Sequence, residues 1–258
     1  RIYGILNGLL RLDNVDIYIT GSNSKFLSSD IMTEFRGRGD EVRVFPLSFK
    51  EFYSANLWDD KYEAWNEYST YGGLPMLLTK KTDSEKINYL KDLLTKTYIQ
   101  DVVERNNLKG DVVIDNLVDI LASSVGSLTN PTKLAKTFAS NNIKTTDVTL
   151  SNYIDYLIDA FMISKAQRYD IKGNNYINSP FKFYFTDIGI RNCRLNYRQQ
   201  EQTHIMENII YNELLIRGFN VDVGIIEHMI RNKNVKQQLV QLEVDFVCNM
   251  GSNRYYIQ

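Results

Sequence analysis

Apolar residues recur at helical spacing in several parts of the chain. The clearest stripe joins Leu150, Ile154, Leu157, Ile158 and Phe161, which stand three or four residues apart. Residues at this spacing share one face of an α-helix, so the stripe predicts a helix with one buried face. The same spacing predicts further helices over residues 1–12, 58–68, 84–103, 114–124, 131–138 and 204–217.

Runs of β-branched and aromatic residues predict strands elsewhere in the chain. Ile17 and Ile19 lie in a run that breaks at residues 20–21, which is typical of a buried parallel strand. Residues 41–45 alternate and predict a second strand, in which Val42 and Val44 share a face. Strands are also predicted on both sides of a turn at residues 172–175, and over residues 220–223, 239–248 and 255–258.

Helix-capping residues organise the stretch from residue 109 to 180. Asn130 offers an N-cap with Pro131 at the first helical position, and Thr145 or Thr146 can cap the next helix. Three helices followed by two strands around a turn are the order of a winged helix-turn-helix. A winged helix is therefore predicted for residues 109–180.

The outward face of the third predicted helix argues against reading DNA sequence. It carries Ser151, Asn152, Asp155 and Asp159, whereas base edges and phosphates call for Arg, Lys, Asn or Gln. Several basic residues nearby could still hold phosphates: Lys133, Lys136, Lys144, Lys165, Arg168 and Lys172. The pattern favours a winged helix used for packing or for contact with a partner.

Composition narrows the class of protein. With 258 residues, 43% of them hydrophobic, and a net charge of −1, the chain exceeds one typical domain and has no overall basic footprint for nucleic acid. Cys193 and Cys248 have neither metal-ligand nor disulfide spacing, as is usual in a reducing compartment. No apolar run approaches the roughly 18 residues that cross a bilayer. A cytoplasmic protein without a membrane part is therefore expected.

Five sequence segments together resemble one family. They are ITGSNSKFLS (residues 19–28), RGRGDEVRVFPLSFKEF (36–52), YGGLP (71–75), FYFTDIGIRN (183–192) and HIMENIIYNELLIRGF (204–219). In this order they resemble prokaryotic AAA+ ATPases that carry a C-terminal domain of unknown function. The resemblance implies a multidomain α/β fold with four parts. These are a residual parallel P-loop core (residues 1–55), a helical lid (56–108), a winged helix (109–180) and a restriction-endonuclease-like α/β domain (181–258).

Two ATPase elements are missing from this chain. It contains no G-x-x-x-x-G-K-S/T loop, whose backbone N–H groups would cradle the α- and β-phosphates. No apolar run ending in paired acidic residues precedes residue 16, so the strand that would bind magnesium is absent too. The chain opens on Arg1, and we interpret it as a fragment that cannot hydrolyse ATP alone.

The resemblance nevertheless assigns nucleotide-binding roles. Ser22 and Asn23 would orient a water against the terminal phosphate, although a plain Gly-Ser-Asn turn explains them equally simply. Arg36 or Arg38 would neutralise transition-state charge in its own or a neighbouring subunit, unless this glycine-rich loop only exposes solvated charges.

Residues 71–75 resemble a Gly-x-Pro element of related signalling ATPases. There a proline packs on the nucleotide base, so Gly73 and Pro75 become candidate ATP contacts. The alternative is a helix stop followed by a proline in the first turn of the next helix.

The sharpest chemical pattern lies at the C-terminal end. Glu207 falls on a predicted helix, Glu243 and Asp245 share one face of a strand, and Gln258 ends the next strand. This order is similar to the restriction-endonuclease-like core, where such residues surround Mg²⁺ and a lysine follows two residues later. The resemblance makes Glu207, Asp245 and Gln258 catalytic candidates, with Glu207 and Asp245 as metal ligands. The alternative is a retained fold without catalysis.

Two functions follow from the resemblance. In the first, ATP binding and hydrolysis in the intact parent control the C-terminal half, which acts on nucleic acid. In the second, nucleotide state exposes or hides a protein-interaction surface on a degenerate nuclease fold. ATP is the expected cofactor of the parent, Mg²⁺ the candidate ion, DNA or protein the partner, and a homo-oligomer is compatible with both functions.

Overall fold

The computed structural model describes residues 2–21, 40–55, 58, 60–108, 112–198, 201–230 and 238–258. Helix α1 (Ile2–Leu9) lies within the first predicted helix, which is confirmed at its core. Four predicted nucleotide-site residues lie outside the described residues: Ser22, Asn23, Arg36 and Arg38.

The two strands predicted before residue 46 are not formed. Residues 15–21 and 40–45 have no regular secondary structure. Tyr18 is 89% exposed, and Val42 and Val44 are 81% and 89% exposed. A strand obtains its hydrogen bonds from a neighbouring strand, and the described residues place none beside either segment. The parallel core predicted for residues 1–55 is therefore not built within the described part of this chain, and Tyr18, Val42 and Val44 face solvent.

The segment predicted as a helical lid (residues 56–108) is largely helical in its described residues, and a further helix precedes it. Helix α2 spans Phe49–Ala55, and α3 (Lys61–Tyr71) begins at Asp60, whose side chain accepts a hydrogen bond from Glu63 N. After Gly72, a 3₁₀ helix covers Pro75–Thr79. Helix α4 (Asp83–Asp92) starts with a capping box and continues through a π-helical segment (Leu93–Ile99) into α5 (Gln100–Arg105).

Three helices and a hairpin follow. They are α6 (Val112–Ser123), α7 (Pro131–Ser140), α8 (Asp147–Asp159), β1 (Ile163–Asp170) and β2 (Asn175–Phe185). Asn130 caps α7, and Thr146 rather than Thr145 caps α8. Leu150, Ile154 and Leu157 are buried, which confirms this part of the predicted stripe. Ile158 and Phe161 are only half-buried, and Phe161 lies beyond the end of α8, where its φ of 55° departs from a helix.

One mixed sheet joins this hairpin to the C-terminal strands. Helices α9 (Ile188–Arg194) and α10 (Gln202–Ile216) precede β3 (Asn220–Ile230), β4 (Gln238–Met250) and β5 (Asn253–Ile257). The strand order is β2-β1-β3-β4-β5, with β1 and β3 parallel and the other pairs antiparallel. Gly218, with φ +82°, ends α10 in the left-handed conformation that the sequence predicts.

Two apolar clusters hold these layers together. The larger cluster runs from the helices between residues 61 and 105 through α6, α7 and α8 to the sheet. The smaller one contains Phe52, Tyr68, Ile188, Ile205 and Ile209, so it joins α2 and α3 to α9 and α10. None of the helices within the described ranges has the length and hydropathy needed to span a membrane.

Candidate functional site

Glu207 occupies an enclosed position on α10, where two β2 side chains hold it. Its Oε1 accepts hydrogen bonds from Lys182 Nζ at 2.9 Å and from the Tyr184 hydroxyl at 2.7 Å. Lys182 and Tyr184 stand two residues apart, so they project from the same face of β2. On the other side, Glu207 Oε2 lies close to the backbone of Gly126. If residue 126 had a side chain, its Cβ would be 2.9 Å from this oxygen. Little room is left around this carboxylate.

Lys182 also bridges to strand β4. Its Nζ lies 2.6 Å from Glu243 Oε1, and the lysine side chain is only 5% exposed. Two residues after Glu243 comes Asp245, whose Oδ2 accepts a hydrogen bond from Gln258 Nε2 at 3.4 Å. The negative charges of Glu207 and Glu243 both act on Asp245. The structure thus places the three predicted catalytic residues in one neighbourhood, with Lys182 among them.

Burial and charge shift the proton affinities of this cluster. Burial, followed by the charge of Glu207, raises the pKa of Asp245. Burial acts to lower the pKa of Lys182, but the hydrogen bonds with Glu243 and Glu207 outweigh it, so the pKa is raised. Burial and then Glu207 also raise the pKa of Tyr184. Lys182 therefore stays charged and Tyr184 stays a hydrogen-bond donor near neutral pH.

The arrangement does not fit a magnesium ion bridging Glu207 and Asp245. Mg²⁺ requires about six oxygen ligands in near-octahedral geometry, several of them waters. Lys182 of β2 already pairs with Glu207 and Glu243. Within the described ranges, no group of three or more His, Cys, Asp and Glu residues is arranged to hold a metal ion. The metal-ligand roles of Glu207 and Asp245 remain predictions.

The glycine-proline segment takes part in a buried junction. Gly73 N donates to Asp187 Oδ2 at 2.8 Å, and Gly73 O accepts from Leu47 N at 2.8 Å. A Cβ on Gly73 would overlap the Leu47 carbonyl oxygen. Pro75 begins the 3₁₀ helix and is exposed. The helix-stop interpretation explains this geometry, and the nucleotide-binding role of both residues stays a prediction.

Asp187 is the central acceptor of this junction. It caps α9 by accepting from Gly189 N at 2.9 Å and Ile190 N at 3.3 Å, in addition to Gly73 N. Burial raises its pKa to about 6, against the opposing effect of these three donors. One carboxylate therefore joins the end of α3 to the start of α9.

Residues 47–52 also contact the helix that carries Glu207. Phe49 N donates to Glu213 Oε1 on α10 at 2.7 Å, and Tyr68 OH donates to Leu47 O at 2.8 Å. Phe52 lies in the same small cluster as Ile209 of α10. The segment before and within α2 is therefore fastened to α10.

Sequence reasoning missed Lys182, Tyr184 and Asp187. A signal for Lys182 was present, because it is the one charged residue within the aromatic run of residues 181–185. A lysine there requires a partner when buried. Asp187 precedes an apolar helix start, which is the position of an N-cap.

Comparison with known proteins supports part of the resemblance. The family model described as "AAA domain" matches residues 2–53, which confirms the predicted relationship to AAA ATPases. An "Uncharacterized protein" of Haemophilus influenzae is 33% identical over 258 residues, covering 98% of this chain and 61% of its own length. "Uncharacterized protein MJ1544" of Methanocaldococcus jannaschii is 30% identical over 254 residues, covering 94% of this chain and 54% of its own length.

The chain thus spans between half and two thirds of the length of these relatives. No solved structure matches it. The family model described as "Domain of unknown function (DUF8612)" matches residues 62–201, which run from within α3 to just past α9. Because this match covers more than half of the chain, the protein belongs to the DUF8612 family.

Proposed function

We propose that this chain is part of an AAA+ ATPase in which the state of the bound nucleotide controls a winged-helix and nuclease-like module. The observation that carries the proposal is the attachment of residues 47–52 to α10. These residues fall within the part that matches the AAA domain, whereas α10 carries Glu207.

The connection is short enough to transmit a movement. Glu213, which accepts from Phe49 N, stands six residues after Glu207 on the same helix. At 1.5 Å per residue this is a separation of about 9 Å along a rigid element. A displacement of α2 would therefore shift α10 together with the ion pairs of Glu207.

A winged helix is supported by an additional backbone pairing. Thr129 N donates to Phe181 O and Phe181 N donates to Thr129 O, both at 2.8 Å. This bridge fastens the segment before α7 to the hairpin, as a short first strand of a winged helix would be. The exposed carboxylate of Asp155 on α8 favours a protein partner over the reading of DNA bases.

A nuclease-like fold is supported by the order of elements after residue 201. Helix α10 with Glu207 precedes the antiparallel strands β3, β4 and β5, and Asp245 and Gln258 come from β4 and the end of β5. Their proximity favours a second candidate function, which is the cleavage of nucleic acid. The ion pairs of Lys182 favour a module that binds a partner without cutting. Of these two functions, we propose the binding of a partner without cleavage as the main one.

Amide hydrogen exchange in the complete protein tests the nucleotide control. Exchange in residues 202–216 is expected to differ between a bound non-hydrolysable ATP analogue and ADP, because α10 is fastened to the AAA-matching segment. Exchange in residues 131–140 is expected to stay the same. Glu213→Gln should reduce the difference, since it weakens the acceptor of the Phe49 N–H.

Arg217→Gln is the matched control for this experiment. Arg217 pairs with Glu213 from the exposed side, so its loss leaves the Phe49 contact in place. The control should retain the nucleotide-dependent difference. An identical exchange pattern with both nucleotides throughout residues 202–216 would refute the proposed coupling.

The isolated chain is expected to release no phosphate from ATP above the level of a heat-denatured sample. The reason is that its 258 residues contain no phosphate-binding loop to position the nucleotide. Steady phosphate release by the purified chain, measured across separate preparations, would contradict this prediction.

A further inference from the structure

We infer that the ammonium group of Lys182 is the permanent cation of the carboxylate cluster formed by Glu207, Glu243 and Asp245, and that it excludes divalent metal ions from Glu207 and Glu243. The inference concerns the chain itself and does not depend on the nucleotide control proposed above. It is carried by the contacts around one buried lysine.

The lysine is held in place from two sides. Its Nζ lies 2.9 Å from Glu207 Oε1 and 2.6 Å from Glu243 Oε1, so it joins α10 to β4. Its backbone belongs to β2, where it is paired with Ala166 of β1. Because β2 is fixed by the sheet and the side chain is buried, the ammonium group cannot leave these carboxylates without a change in the surrounding structure.

One oxygen of Glu207 already accepts two hydrogen bonds, and the other faces the backbone. Oε1 accepts from both Lys182 and Tyr184, and Oε2 faces the backbone of Gly126 so closely that a Cβ there would lie 2.9 Å away. A divalent ion at Oε1 would have to displace two donors. It would also come within a few ångströms of a positive charge, where repulsion is strong in a poorly solvated environment.

Removal of the ammonium group would leave a set of oxygen ligands. Glu207, Glu243 and Asp245 would then repel one another, and the side-chain amide of Gln258, whose Nε2 donates to Asp245 Oδ2, lies beside Asp245. Carboxylate and amide oxygens are the ligands that Mg²⁺ and Mn²⁺ prefer. Glu207 and Glu243, whose Oε1 atoms lie 2.9 Å and 2.6 Å from Nζ, would then supply two oxygen ligands to a divalent cation, with water as the others.

Titration of the 258-residue chain with Mn²⁺ tests this inference, with binding followed by calorimetry and by electron paramagnetic resonance of free Mn²⁺. The wild-type chain should show no Mn²⁺ binding that depends on Glu207. Lys182→Ala should bind Mn²⁺ at least about tenfold more tightly than wild type, because uncompensated carboxylates attract a divalent cation. In the double variant Lys182→Ala/Glu207→Gln this gain should disappear.

Lys172→Ala is the matched control. It also removes one lysine of the hairpin, but Lys172 donates to the backbone oxygen of Glu227 instead of pairing with the carboxylate cluster. It should bind Mn²⁺ as wild type does. A purely structural role of Lys182 would change the stability of the chain without creating a metal site.

Two results would overturn the inference. One is Mn²⁺ binding by wild type that falls about tenfold or more in Glu207→Gln, since Lys182 would then not exclude the ion. The other is a folded Lys182→Ala chain that binds no more Mn²⁺ than Lys172→Ala. If the alanine variant does not fold, Lys182→Gln is titrated in its place. The comparison of wild type with Glu207→Gln then still tests whether the ion is excluded. None of these measurements uses nucleotide. Their outcome is therefore independent of whether nucleotide state controls the C-terminal module, as proposed above.

Discussion

Replacement of Gly189 by alanine is expected to lower the free energy of unfolding by about 3 kcal/mol or more. The added Cβ would overlap the backbone carbonyl oxygen of Tyr71, and backbone cannot rotate away as a flexible side chain can. Relief would require α9 to separate from the end of α3, which also breaks the hydrogen bond from Gly73 N to Asp187. Urea denaturation followed by circular dichroism measures the change.

Gly4→Ala is a suitable control for this experiment. Gly4 lies in α1 and has nothing within 4 Å of an added Cβ. Alanine favours helix over glycine by up to about 1 kcal/mol, so this variant should be neutral or slightly more stable. Equal midpoints for wild type and Gly189→Ala would mean that α9 and α3 are not in close contact in solution.

Leu157→Ala is expected to destabilise the unit formed by α6, α7 and α8 by about 2–5 kcal/mol, because it removes a fully buried side chain and leaves a cavity. Leu157 has no exposed surface and lies in the larger apolar cluster between α8 and its neighbours. The midpoint of chemical denaturation should fall accordingly, with an unchanged slope if the folded and unfolded states are otherwise the same.

Asp155→Ala provides the comparison on the same helix. Asp155 is exposed, so its truncation should change stability by no more than about 0.5 kcal/mol. If Asp155→Ala proved the more destabilising change, the buried and exposed faces of α8 would be assigned in reverse.

Helices of this protein could be predicted well because their signals are local. Asn130 and Thr146 each cap the helix that follows, and the stripe through Leu150 and Leu157 needs only the spacing within α8. The strands were harder. Val42 and Val44 alternate correctly, yet no strand forms there because pairing depends on distant residues that the alternation does not reveal.

The same distinction between local and long-range signals applies to the candidate site. Glu207, Asp245 and Gln258 were identified because a helix stripe and a period of two place them on particular faces. Lys182 could not be placed, since nothing near it in sequence predicts that β2 faces both α10 and β4. The charge balance of a site assembled from three separate elements depends on the tertiary fold.

The parallel pair β1 and β3 has a consequence for synthesis on the ribosome. Arg168 is paired with Val223, so the inner edge of β1 has no partner until more than fifty further residues have been made. At about 5–20 residues per second, this edge stays open for roughly 3 to 10 s of translation. The hairpin of β1 and β2 can form during that interval, while its free edge can pair with other chains. Aggregation during expression should therefore begin at β1, and factors that shield nascent strands should raise the yield of folded protein.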